Sequence, residues 1–266
     1  MQELVRYRSL VWAFAQRDLK SRYRSSVLGW TWSLVIPIAM LALYALVWGE
    51  LFRIGAPPMG NGRAPVFVLF LFSGLFLWNG FQSVVMSSMG SIRGAGELMR
   101  KVYFPPFAPV VGGSVAVIVQ MLIEGAVLLG ASAVVGNIGW TWLYLLLILP
   151  LAIVFAQGVG LFVAALSAAY GDVQYVMAVV MQAWFFLTPV LYPLTLVPKH
   201  GFGLPLAALF QLNPMTWFIQ GTHEAVYSLH APSPGYLLGM FGAAAVAYAV
   251  GWVTFQRAAP NLSEML

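Results

Sequence analysis

The sequence predicts an all-α integral membrane protein with six transmembrane helices, an N-terminal interfacial amphipathic helix and two short re-entrant helices before the last span. Three observations lead there. Of 266 residues, 61% are hydrophobic and only 8% charged, whereas an ordinary soluble domain carries about 25% charge. The charged residues are separated by uncharged runs long enough to cross a bilayer, such as 64–92 and 125–171. The 10 Trp, 11 Tyr and 18 Phe suit a protein whose amphipathic rings sit at membrane interfaces. So little ionic surface excludes a soluble enzyme, a disordered tail and a nucleic-acid binder. There is no cysteine, hence no disulfide framework and no thiolate metal site.

Residues 1–27 form the first unit. At 100° per residue, Val5, Trp12, Leu19 and Tyr23 fall on one face, with Arg6, Arg17, Lys20 and Arg24 roughly opposite. That sorting describes a helix lying at the headgroup level; a plain topology-setting tail would not need it. Residues 28–266 form the membrane unit. Uncharged apolar runs place its spans at 28–52, 65–89, 105–135, 143–169, 173–197 and 236–257, because a helix of roughly 20 residues crosses the oil with its backbone paired internally. Gly136-Asn137-Ile138-Gly139 reads as the turn that divides the longest run.

The stretch between His200 and His223 is broken by Gly201, Gly203, Pro205 and Pro214. Two short helices near 204–212 and 214–229, dipping back into the membrane, fit it better than a seventh span. Asn213 would cap the second, with Pro214 at its first position. The 90–104 loop carries both signs of charge and a short helix from Glu97, stopped by Pro105-Pro106; a solvated loop is the alternative.

Arg6, Arg8, Arg17, Lys20, Arg22, Arg24, Arg93, Arg100, Lys101 and Arg257 flank the ends of spans on one side, against Arg53, Arg63 and Lys199 on the other. The positive-inside rule then puts both termini in the cytoplasm. The first apolar segment is too long for a signal h-region, so no cleavable leader is expected.

No phosphate-binding Gly-x-x-x-x-Gly-Lys-Ser/Thr loop occurs, so the chain is not expected to hold ATP by that device. His200, His223 and His230 lack the i, i+4 pairing of a zinc protease, and no Ser–His–carboxylate set can be assembled. Glu124, with Gln120 one turn before it, is the one clearly mid-membrane ionisable group; it reads as functional or as hydrogen-bonded to a neighbouring helix. Glu50 and Arg53 are spaced for a local ion pair. Tyr44, Trp48 and Phe52 recur every four residues along the first span, and Trp184, Phe185 and Tyr192 sit in the fifth. They read either as an interfacial belt or as rings lining a path along which sugars bind weakly at successive places.

Taken in order, four motifs carry a resemblance. Arg17-Asp18-Leu19-Lys20-Ser21-Arg22-Tyr23-Arg24-Ser25-Ser26-Val27-Leu28-Gly29-Trp30-Thr31-Trp32 with Pro37, Arg100-Lys101-Val102-Tyr103-Phe104-Pro105, Ala169-Tyr170-Gly171-Asp172-Val173 and Leu212-Asn213-Pro214-Met215 together resemble the permease subunits of ABC exporters of O-antigen, teichoic-acid or capsule polysaccharide. Gly171 stands where that family commonly has arginine. The resemblance implies a homodimer in the bacterial inner membrane, partnered by two ATPase subunits that hold ATP and magnesium. This chain itself would carry no cofactor and no catalytic site. An undecaprenyl-linked polysaccharide would cross between the two copies. Arg17, Lys20, Glu97, Arg100 and Lys101 would couple to the ATPase. Leu28 and Gly29 would lie where the substrate enters, Tyr44, Trp48 and Phe52 would line the outer half of the path, and the helices with Asn213 and Pro214 would gate its exit. Export of a small hydrophobic compound is the competing function; an intramembrane enzyme or ion-coupled carrier built on Glu124 would lack an acid–base partner.

Overall fold

The computed structural model describes residues 7–22, 29–102, 104–201 and 203–262. Among them the secondary structure is helical apart from one isolated bridge between Gly201 and Leu204. In order, the helices are α1 (Arg8–Arg22), α2 (Trp32–Tyr44), α3 (Phe67–Gly94), α4 (Gly96–Lys101), α5 (Phe107–Val134), α6 (Leu145–Ala169), α7 (Val173–Phe186), α8 (Leu206–Leu212), α9 (Pro214–Thr222) and α10 (Pro234–Ala258). Wide π turns extend α2 through Leu51 and α9 through Tyr227, and a 3-10 turn from Trp140 leads into α6.

Among the described residues, five helices are long and apolar enough to cross a membrane: Trp32–Leu51, Phe67–Lys101, Phe107–Val134, Trp140–Ala169 and Pro234–Ala258. They match five of the six expected spans. The expected fifth span, 173–197, is different. Its helix α7 has 14 residues, about 21 Å at 1.5 Å per residue, against about 30 Å of hydrocarbon. Thr188-Pro189 and Pro193 follow it, and proline disfavours helix at the residue before it. The uncharged run therefore continues as turns and a short 3-10 segment at Leu194–Leu196.

The centre of the bundle is α3, packed on α5 along one side and α6 along another, with α10 laid against the far face of α6. Backbone-to-backbone approach holds that last pair together. A Cβ placed on Gly251 would run into the carbonyl oxygen of Gly158, and one on Gly158 into the backbone at Ala247–Tyr248. In oil, where apolar burial drives little, such small-residue contacts supply the packing. Phe81, Phe155 and Phe218 stack in sequence, with centroids 5.4 and 5.5 Å apart, and tie α3, α6 and α9.

The two ends of the bundle are built differently. At one end α1 presses Phe14 and Ala15 onto Gly112 of α5, Phe14 reaches Phe104, and Tyr7 and Trp252 flank Phe107. Trp12, on the apolar face expected to meet lipid, is 54% exposed within the chain, and the face buried against the protein is a different one. The buried face is set instead by the glycine-surfaced groove of α5, which accepts the Phe14–Ala15 stripe. Val5 and Tyr23 lie outside the described residues. At the other end, the amide of Asn137 donates to the carbonyls of Val226 and Tyr227 at 2.8 and 3.0 Å, closing the wide turn after α9. The Gly136–Gly139 turn forms as expected, with Gly136 in the left-handed region at φ 76°.

The Gly158–Gly251 contact predicts that Gly251→Val destabilises the protein by about 1–3 kcal/mol, the usual cost of overpacking. The measurement is the thermal unfolding midpoint in detergent, expected to fall, while Gly242→Ala, at a position with open space around it, leaves it nearly unchanged.

Candidate functional site

Helix α3 is covered along most of its length. Between Leu69 and Ile92 the residues not fully buried are Asn79, Gln82, Ser83, Met86, Ser87 and Gly90. Their spacing of 3, 4, 7, 8 and 11 from Asn79 puts them on one helix face. Two amides and two hydroxyls thus form a polar seam on the most buried span. The Trp78 indole donates to Gln82 Oε1 at 3.2 Å, which holds that side chain in place.

α2 lies beside this seam. It buries only Ser33 and Leu41 of its own helix. Pro37 has no N–H to return to the Ser33 carbonyl, and Gln120 Nε2 on α5 donates to that oxygen instead. The same Nε2 donates to Glu124 Oε1 at 2.7 Å. Glu124, 4% exposed, is therefore part of a polar link between helices, through the Gln120 neighbour that the i, i+4 spacing indicated.

Above the seam, aromatic rings converge. Tyr44 lies 6.2 Å from Phe185, and Phe185 lies 5.5 Å from Trp78, so α2 and α7 meet across α3 there. Trp48 and Phe52 sit 5.5 Å apart further along the π-wound end of α2, and Phe52 is 63% exposed. Trp184 is half-buried against Phe81 and donates to Asn213 Oδ1 at 2.8 Å. Phe185 is buried in the same cluster and presents no free face within the chain. Tyr192 donates to the carbonyl of Phe186 at 2.7 Å and lies 6.5 Å from Phe210.

Asn213 does two jobs. Its Oδ1 accepts from the Met215 amide at 3.0 Å, capping α9 as expected with Pro214 at the first position. Its Nδ2 donates to Thr188 Oγ1 and the Leu187 carbonyl, so it fastens the end of α7 to the start of α9. Glu50 and Arg53 do not form the expected ion pair. The π turn and the left-handed backbone at Arg53, φ 51°, take them off the i, i+3 register.

At the α1 end, Arg8, Arg17, Lys20, Glu97, Arg100 and Lys101 are all exposed. Arg17 pairs with Asp18 at 3.5 Å and lies over the Phe14 ring. A cleft of about 720 Å³ runs between α4, the start of α5 and the end of α10, with Tyr7, Arg100, Lys101 and Trp252 on its walls. Gly29 opens the 3-10 turn before α2 in the left-handed region at φ 50°, a conformation that favours glycine; Leu28 lies outside the described residues. Arg93 fills the space beside Gly171. Its guanidinium donates to the carbonyls of Ser167, Tyr170 and Gly171 at 2.8, 3.4 and 2.9 Å, closing the end of α6.

Sequence reasoning missed the α3 seam and the Arg93 cap. The seam was signalled by polar residues at helical spacing inside an apolar span. Nothing local marks Arg93, whose partners are over 70 positions away.

Long apolar helices around a polar seam define a multi-pass membrane protein of the transporter kind. The chain belongs to the ABC-2 type transporter family, whose profile matches residues 9–227. It is 28% identical over 257 residues to the O-antigen export system permease protein RfbA of Myxococcus xanthus, covering 95% of this chain and 92% of that one. It is 25% identical to an RfbA of the same description from Klebsiella pneumoniae, over 82% of this chain and 83% of the relative. The polysialic acid transport protein KpsM of Escherichia coli is 24% identical, over 83% and 80% respectively.

Arg93 supplies charge-assisted bonds to carbonyls at a helix C-terminus, where a cation is favoured. Arg93→Ala is expected to cost about 1.5–3 kcal/mol on that basis and to speed protease cleavage at the 170–172 turn; Arg93→Lys recovers part of the loss.

Proposed function

We propose that this chain is the permease subunit of an ATP-driven exporter of lipid-linked polysaccharide. It works as a homodimer with two separate ATPase subunits in the bacterial inner membrane, both termini in the cytoplasm, and the polymer is carried on undecaprenyl. The observation that carries this reading is the polar seam of α3. Two amides and two hydroxyls left uncovered at membrane depth are costly against lipid. They are accommodated where water, a second copy or a hydroxyl-bearing substrate meets them. A path for a small hydrophobic compound has no use for such a seam.

The remaining assignments follow from position. The seam forms the inner half of the path, and Tyr44, Trp48 and Phe52 its outer half, where flat rings hold sugar faces weakly and in succession. Trp184 and Phe185 brace that half from behind, with Tyr192 at its outer rim. Asn213 and Pro214 join α7 to α9, and in this reading the short helices they hold are the exit gate, dipping into the membrane. Leu28 and Gly29 mark the place where the lipid-linked substrate enters. The basic end, with exposed Arg17, Lys20 and Glu97 and with Arg100 and Lys101 on the wall of the 720 Å³ cleft, is the surface that takes the ATPase. ATP and magnesium belong to that partner.

The reading is tested by expressing the chain with and without its genomic neighbours. Purified alone it hydrolyses no ATP, and from its native membrane it co-purifies with an ATP-hydrolysing subunit; hydrolysis by the isolated chain overturns the assignment. Tyr44→Ala and Trp48→Ala are expected to lower polymer export several-fold, measured by immunoblotting of surface polysaccharide, with cross-linked dimer still formed. Labelling of tags at the two termini from opposite sides of the membrane overturns the topology.

A further inference from the structure

A defined cavity lies where the two halves of the path meet. About 410 Å³ opens between α2, α3 and α5, bounded by Asn79, Gln82, Ser83, Gln120 and Glu124. That volume falls within the ~300–1,000 Å³ of small-ligand sites. Trp32 and Tyr44 contribute rings from α2. Trp78 occupies the Gln82 carbonyl oxygen, leaving its amide N–H groups to donate elsewhere. Among the described residues, Asn79 and Ser83 have no hydrogen-bond partner for their side chains. Amide donors and acceptors, a hydroxyl and flanking rings in one hollow have the chemistry that meets an alcohol-rich ring: hydrogen bonds at its rim, stacking on its C–H face. The walls include one acid and no base.

We propose that this cavity is a binding station for an uncharged, hydroxyl-rich sugar unit, and that Glu124, when ionised, makes it unfavourable for anionic sugars, which would find no counter-charge there. The assignment of a sugar rests on the exporter reading above. The steering by charge does not, since it concerns what the cavity attracts. Glu124 is a positioning and selecting group here, held by Gln120, and takes part in no bond-making step.

The natural chain has no cysteine, so Ser83→Cys introduces a single thiol into the cavity. The transporter, assembled with its ATPase in inverted membrane vesicles at pH 8, is treated with a cationic and an anionic methanethiosulfonate reagent of similar size. The cationic reagent is expected to react several-fold faster, and Glu124→Gln, combined with Ser83→Cys, is expected to abolish the preference. Equal rates before that change, or no reaction with either reagent, overturn the proposal. Maltohexaose at millimolar concentration is expected to slow the modification, and an oligogalacturonate of equal length to leave it unchanged; equal protection by both overturns the charge selection. In cells, Asn79→Leu and Gln82→Leu are expected to lower export several-fold with the chain present at normal amount. Normal export by both variants removes the sugar station. Normal export in a strain deleted for the chain instead removes the exporter reading and leaves the thiol result standing.

Discussion

Everything in this molecule answers to one constraint: polar groups at membrane depth must be paired within the protein or open to water. Most are paired locally. Ser73, Ser88, Ser114 and Ser167 donate to carbonyls three or four residues back in their own helices. Others reach between elements, and those reaches set the architecture. Gln120 crosses to the carbonyl that Pro37 leaves without its usual partner, Asn137 closes the turn after α9, and Arg93 closes the end of α6. Single buried atoms such as Gln157 Nε2 and Thr216 Oγ1 also go without a partner, but the face of α3 is left open as a row, and a row of that kind on the most buried span is where the proposed path through the membrane belongs.

The helices fall into two mechanical groups. α3, α5, α6 and α10 are joined along their lengths, α6 and α10 so closely at Gly158 and Gly251 that a single methyl group would collide with backbone. α2 and α7 are joined at points. α2 has the Gln120 link and the Tyr44–Phe185 contact; α7 has the Trp184 cluster and the Asn213 bonds at its end. Both flank the seam. An inner frame with two lightly fastened walls suits the proposed path, because displacing α2 breaks few contacts and, in lipid, exposes surface that oil accepts.

How much of this could be read from the chain depends on the range of the cause. Charge gaps located five long helices, four of them to within a few residues at each end, while the second runs past the expected 89 to Gly94; exclusion of charge from oil acts residue by residue. Asn213-Pro214 gave the α9 cap for the same reason: the cap and its target are two positions apart. The short α7 was legible in Thr188-Pro189 and Pro193, but the absence of charge through 197 outweighed them. The buried face of α1 was not legible. Sorting by hydrophobicity picks out the face with Trp12, which concerns lipid, while the face that meets protein is selected by Gly112, which receives the Phe14–Ala15 stripe from about a hundred residues away. Glu124 looked solitary apart from Gln120 because its third participant, the Ser33 carbonyl, is backbone freed by a proline on another helix.

The position of that proline links the two groups of helices to the site. Had residue 37 an N–H, the Ser33 carbonyl would be satisfied within α2, and the Gln120 amide would have one acceptor fewer. α2 would then be held beside the seam by rings and side-chain packing alone. With the proline, the helix carries an obligatory acceptor at membrane depth whose partner stands on α5, so the attachment is directional and fixes the height of Trp32 and Tyr44 relative to Asn79 and Gln82. One bond of that kind orients a wall without cementing it, and the Glu124 carboxyl, sharing the same amide nitrogen, is thereby kept at the edge of the cavity.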